Sequence, residues 1–135
     1  MSSNKSALKE KLHKMHLIFR DLSNPEAAET LSAADMEKFS QTSVHAQNLN
    51  PWFTEENIFK SLEGFAYMLR PEAVEKWLEG YELSSKGAKC IGLVLAGNLP
   101  MVGFHDILSV LVSGHHPMVK LSSQDRLLLP LIFEL

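Results

Sequence analysis

Apolar residues in the first part of the chain recur every three or four positions, the spacing of a helix with one buried stripe. Leu8, Leu12, Met15 and Phe19 predict a helix over roughly Lys5–Leu22, and Asn24-Pro25 closes it. Ser32, with Asp35 three residues on, reads as a capping box that opens a second helix. A third starts at Thr54, after the turn-like Asn50-Pro51, and its apolar face is Ile58, Leu62, Phe65 and Leu69. Trp52-Phe53 before Thr54 suits a hydrophobic staple. Pro71 opens a fourth helix, where the first N–H has no helical partner to lose. Val74, Trp77, Leu78 and Tyr81 are its expected buried side. Lys5, Lys9, Lys11 and Lys14, interleaved with Glu10, read as a solvated helix face.

The period then changes. Ile91–Ala96 is a short continuous apolar run, which suits a strand buried on both faces. Gly97-Asn98-Leu99-Pro100 breaks it. Met101–Ser113 is again helical in spacing, through Val102, Ile107, Leu108, Leu111 and Val112, and Gly114 is placed to end it. Pro117–Leu121 is a second short strand. Ser122-Ser123 then offers an N-cap, with Asp125 in the first turn of a last helix. Strand, loop, helix, strand is the order of a right-handed βαβ unit. The expected class is α/β, with a helical region over residues 1–85 and the start of a parallel α/β domain over 86–135. Two parallel strands make an incomplete sheet, and Leu127–Leu135 is mostly apolar. The expectation is a portion of a longer α/β domain, or a chain that covers these surfaces with another chain, a second copy included.

Composition narrows the function classes. The 135 residues are 45% hydrophobic and 21% charged, with a net charge of -3, as in an ordinary soluble domain. No basic stripe points to nucleic acid. The apolar runs Ile91–Ala96 and Ile107–Val112 fall far short of the roughly 20 residues that span a bilayer. The polar start, MSSNKSALKEKLHKMH, holds no apolar core of a secretory signal. With one cysteine, Cys90, no intrachain disulfide forms, which fits the cytoplasm. Cys90 is expected to be buried and structural, as free cysteines tend to be. His105-Asp106 and His115-His116 match no zinc spacing, so no metal is expected. His105 and Asp106 belong at a helix start facing solvent, and His115 in the turn after that helix, where a cation complements the dipole.

In an open parallel sheet, ligands bind beyond the carboxyl ends of the strands. Two loops hold that place here. In Gly97-Asn98-Leu99-Pro100, glycine permits close approach and Asn98 carries a donor amide; the plainer reading is that Asn98 caps the next helix. In Lys120-Leu121-Ser122-Ser123, a cation stands beside two hydroxyls and an expected helix N-terminus, a combination that suits a nucleotide ribose or phosphate. The plainer reading is a solvated strand-end charge.

Ala96-Gly97-Asn98-Leu99-Pro100, Gly103-Phe104-His105-Asp106, Ser113-Gly114-His115 and Lys120-Leu121-Ser122-Ser123 resemble the bacterial acyl-CoA reductases, relatives of the fatty acid reductase that supplies aldehyde to bacterial luciferase. Asn50-Pro51-Trp52-Phe53-Thr54-Glu55-Glu56-Asn57 and Trp77-Leu78 resemble them too, so the likeness covers about residues 45–130. That family is similar to the aldehyde dehydrogenases, where one strand ends in Pro-Trp-Asn-Phe-Pro and the next in Lys-Pro-Ser/Ala-Glu. The resemblance implies a Rossmann-like nucleotide-binding domain, of which this chain holds the first βαβ unit. It implies that Asn98 holds the oxyanion of an acyl thioester and that Lys120 bonds the adenosine ribose of a nicotinamide cofactor. Gly97, Leu99, Pro100, Ser122 and Ser123 would complete the cofactor side. No acidic residue stands at Ser123 to chelate both ribose hydroxyls, which favours NADP over NAD. The implied reaction reduces long-chain acyl-CoA to aldehyde through a cysteine thioester. The nucleophile lies far downstream of the Lys120 position in that family, so this chain lacks it. The alternative is a non-catalytic nucleotide-binding or protein-interaction module.

Overall fold

The computed structural model describes residues 2–81 and 87–135. The boundary expected between 85 and 86 falls outside the described residues. Helix α1 runs Ser2–Ser23 and ends before a 3-10 turn at Pro25–Ala27. Helices α2 (Ala33–Leu49), α3 (Glu55–Met68) and α4 (Pro71–Glu79) follow. Their starts are those the sequence predicts. Ser32 and Asp35 exchange the reciprocal bonds of a capping box, Thr54 caps α3 through the Asn57 amide, and Pro71 is the first residue of α4. Strand β1 (Cys90–Val94), helix α5 (Phe104–Val112), strand β2 (His116–Lys120) and helix α6 (Leu128–Glu134) complete the order. The class is α/β, mostly helical, with one parallel pair in register from Cys90 opposite His116 to Val94 opposite Lys120. Gly114, at φ 79°, turns the chain out of α5 in the left-handed region that glycine enters without strain.

Residues from before and after the undescribed segment share one core cluster. At its centre the rings of Phe19 and Phe104 lie 4.9 Å apart at 78°, and Phe65 stands 4.9 Å from Phe104. Edge-to-face contacts of this kind add stabilisation beyond the area buried. The link between α1 and α2 is fastened by Asp21, a buried carboxylate. Its Oδ2 accepts from the backbone amides of Glu29, Thr30 and Leu31, and its Oδ1 from Arg20 at 2.9 Å. Burial would raise its proton affinity, but the bonds from Thr30, Leu31, Arg20 and Glu29 prevail and hold its carboxyl below the usual range.

Four expectations are corrected. The strands are not buried on both faces. Ile91, Leu93 and Leu95 with Pro117, Val119 and Leu121 face inward, whereas Cys90, Gly92, Val94, His116, Met118 and Lys120 face out. Helix α5 packs on both strands, and no layer among the described residues covers the other face. Val94 is 80% exposed there despite its apolar side chain. Cys90 is likewise exposed rather than buried, because it opens β1 on that uncovered face. Tyr81, past the end of α4, is exposed and takes no part in the core. The last helix does not begin at Ser122-Ser123: Ser122 to Asp125 form a tight turn closed by an antiparallel bridge, and α6 starts only at Leu128. Asp125 turns inward to another loop's amide and so does not serve the N-terminus of its own helix.

The lysine face is solvated only in part. Lys9 reaches the Glu75 carboxylate at 2.5 Å and Lys5 the Tyr81 carbonyl, tying α1 to α4. Phe53 is fully buried and Ile58 nearly so, in the positions of a staple, while Trp52 points outward.

Candidate functional site

The two loops expected to carry chemistry lie side by side beyond the carboxyl ends of β1 and β2. The ladder extends one bond past the strands, from Leu95 N–H to Lys120 C=O at 3.1 Å. Gly97 is buried against the other loop: a Cβ there would come within 2.6 Å of the Ser122 Cβ and 3.3 Å of the Asp125 nitrogen. Only glycine permits that approach. The carbonyl of Gly97 accepts from Asn50 Nδ2 at 3.3 Å, and Asn50 Oδ1 accepts from the Trp52 amide at 3.1 Å. Asn50 is itself buried. The Asn50-Pro51-Trp52 segment thus braces the first loop from the helical part of the chain.

Asn98 and Leu99 are the exposed tip of that loop, between buried Gly97 and buried Pro100. Asn98 does not cap α5, whose N-cap is Gly103 with no side-chain bond. Its amide makes no hydrogen bond to the described residues. Lys120 ends β2 as an exposed cation, and Ser123 is exposed beside it. Ser122 is half-buried, and its Oγ accepts from the Gln124 amide at 3.2 Å. The helix N-terminus expected next to Lys120 is absent, since Ser122–Asp125 is a turn. The dipole and free amides of a helix start are therefore not available to a phosphate there. The arrangement suits hydroxyl recognition by Lys120 and amide donation by Asn98.

Behind the tip lie Met101 and Asp125, whose pairing the sequence pattern does not indicate. Met101 is fully buried and has φ 58°, the left-handed region that costs an L-residue about 1–2 kcal/mol. Its N–H donates to Asp125 Oδ2 at 2.6 Å. Asp125 is buried, and its Oδ1 has no hydrogen-bond partner among the described residues. Burial pushes its carboxyl up to about 6, against the opposing pull of the Met101 N–H. In the sequence Asp125 stands in a polar run that reads as a helix start, and nothing local marks its partner.

The remaining candidates lie elsewhere. His105 and Asp106 are exposed on the first turn of α5. His115 Nδ1 accepts from the Lys89 amide at 3.3 Å, at the opposite end of the strands. No group of three potential metal ligands occurs among the described residues. A cleft of about 710 Å³ between the 3-10 turn, α2 and α3 is lined by Leu31, Met36, Phe39, Ile58, Glu37 and Glu55, among others. It shares none of the loop residues. No described helix is long and apolar enough to cross a membrane. Comparison with protein-family models, curated proteins and solved structures finds no match to this chain.

Proposed function

We propose that this chain is the cofactor-side N-terminal part of an acyl-CoA reductase, acting in the cytoplasm on a long-chain acyl thioester with NADPH or NADH. The observation that supports it is the convergence of two loops, Gly97–Pro100 and Lys120–Ser123, beyond the carboxyl ends of two paired parallel strands. Ligands bind at that end of an open α/β sheet. Three of the segments that carry the resemblance, those of Asn50, Gly97 and Ser122, are in contact here.

In this reading the Lys120 ammonium donates to a ribose hydroxyl of the cofactor. The cofactor, when bound, supplies hydride to the acyl carbon. The Asn98 amide donates to the thioester oxygen and holds the negative charge that grows on it. The nucleophile comes from a cysteine outside this chain, because Cys90 lies at the other end of β1 from Asn98. That remainder, or a second copy, would also cover the outward face of the sheet. The fit to the cofactor is through Lys120 and not through a helix dipole, so affinity for the phosphates depends on groups beyond this chain.

Titration of the chain with NADPH and NADH, followed by nicotinamide fluorescence, tests the cofactor half of the reading. Binding that Lys120→Ala weakens by about tenfold or more supports it, as loss of a charged hydrogen bond would. Binding that is indifferent to Lys120→Ala rejects it. No binding, together with self-association relieved by polar substitution at the exposed Phe133, favours the protein-interaction alternative; Leu128 is fully buried and does not serve that test.

A further inference from the structure

The loop that carries Asn98 is held at two points, with the Asn98 and Leu99 side chains exposed between them. At one end Gly97 is wedged against Ser122 and bonded to Asn50. At the other, Met101 is held in the left-handed region with its side chain fully buried. A methionine does not rest there unaided; something must over-determine it. A local turn, closed by the Val102 N–H to the Leu99 carbonyl at 3.3 Å, contributes, and the contact from outside the loop is the Asp125 carboxylate, 2.6 Å from the Met101 nitrogen. That distance is of the charge-assisted kind. Asp125 is fixed in turn by its own turn, in which its N–H donates to the Ser122 carbonyl at 3.2 Å.

We propose that Asp125 is a positioning residue for Asn98: through the Met101 amide, its carboxylate fixes the Gly97–Met101 loop and so the direction in which the Asn98 amide is presented. Its importance for a reaction rests on the acyl-CoA reductase reading, but the clamp itself is a property of this chain. The balance that maintains it is narrow. Burial disfavours the carboxylate, Oδ1 is left without a partner, and one amide bond opposes both. No charged side chain contributes. The 97–103 loop contains no ionisable residue, and Lys120 and Arg126, the charged residues nearest to Asp125 in its own segment, are both exposed. Proton uptake by Asp125 therefore weakens the clamp from a charged to a neutral hydrogen bond.

The test is proton–nitrogen NMR of the 135-residue chain without ligand. In the wild type, the amides of Gly97 and Met101 and the side-chain amide of Asn98 should shift together, with one midpoint near pH 6. Asp125→Asn offers the Met101 amide only a neutral oxygen, as the protonated acid does, and should abolish that midpoint with the loop signals held near their low-pH positions. Asp125→Ala removes the acceptor, and hydrogen exchange at Met101 should accelerate by about tenfold or more through local opening. Loop signals that titrate identically in wild type and Asp125→Asn overturn the proposal. So does Met101 exchange unchanged in a folded Asp125→Ala. If Asp125→Ala does not fold, the Asp125→Asn titration decides. A wild type that shows the clamp yet binds NADPH equally well with Lys120→Ala sinks the reductase reading and leaves the clamp standing.

Discussion

Asp21 and Asp125 are both buried carboxylates, and their surroundings drive their proton affinities in opposite directions. Asp21 takes three backbone amides and Arg20, so its folded value lies below its unfolded one. Its stabilisation is present above about pH 4 and is lost as pH falls through the folded value. Asp21→Ala leaves three amides without their acceptor and should cost about 3–5 kcal/mol, measured by urea unfolding at neutral pH. For Asp125 the folded value, about 6, lies above the unfolded 3.8. Between them the folded state holds the extra proton, so stability falls as pH rises from about 4 to about 6 and is level beyond. That component amounts to about 3 kcal/mol. Unfolding curves collected across that range should show the decline in wild type and lack it in Asp125→Asn. A decline that persists in the variant assigns it to another group.

At the level of elements, the local signals proved readable and the non-local ones did not. Ser32, Asp35, Thr54 and Pro71 open helices where the sequence places them, because a cap is decided within four residues. Ser32→Ala should accordingly destabilise by about 1 kcal/mol, seen as a lower melting temperature. Ser122-Ser123 with Asp125 has the same local form, yet no helix starts there, and Met101, 24 residues away in the chain, takes the carboxylate. The apolar run Ile91–Ala96 conceals a one-sided strand for a related reason. Val94 has a buried residue's chemistry but no layer above it. The convergence of the two loops was legible from strand order alone; what holds them was not, since Gly97 reads as a turn former and serves as a contact surface. Gly97→Ala forces its new Cβ onto Ser122 and should cost about 1–3 kcal/mol. Ser122→Gly should recover part of that loss in the double variant, by calorimetry; equal losses in both would separate the loops.

Over the whole molecule, the helical part and the βαβ part meet through Phe19, Phe65 and Phe104. Both tryptophans, Trp52 and Trp77, belong to the first part, and Phe104 to the second. Phe104→Ala should cost about 3–5 kcal/mol and lower the transition reported by tryptophan fluorescence, although it changes neither tryptophan's own segment. Two separated transitions would instead show that the parts unfold independently. The exposed thiol that opens β1 has a practical consequence. As the sole cysteine it accepts a spin label or fluorophore at one defined place, and with a rise of about 3.3 Å per residue β1 sets it roughly 16 Å from Leu95, where the Asn98 loop begins. Movement of the loop then becomes a distance read from a fixed post on the same strand, with no residue of the site altered.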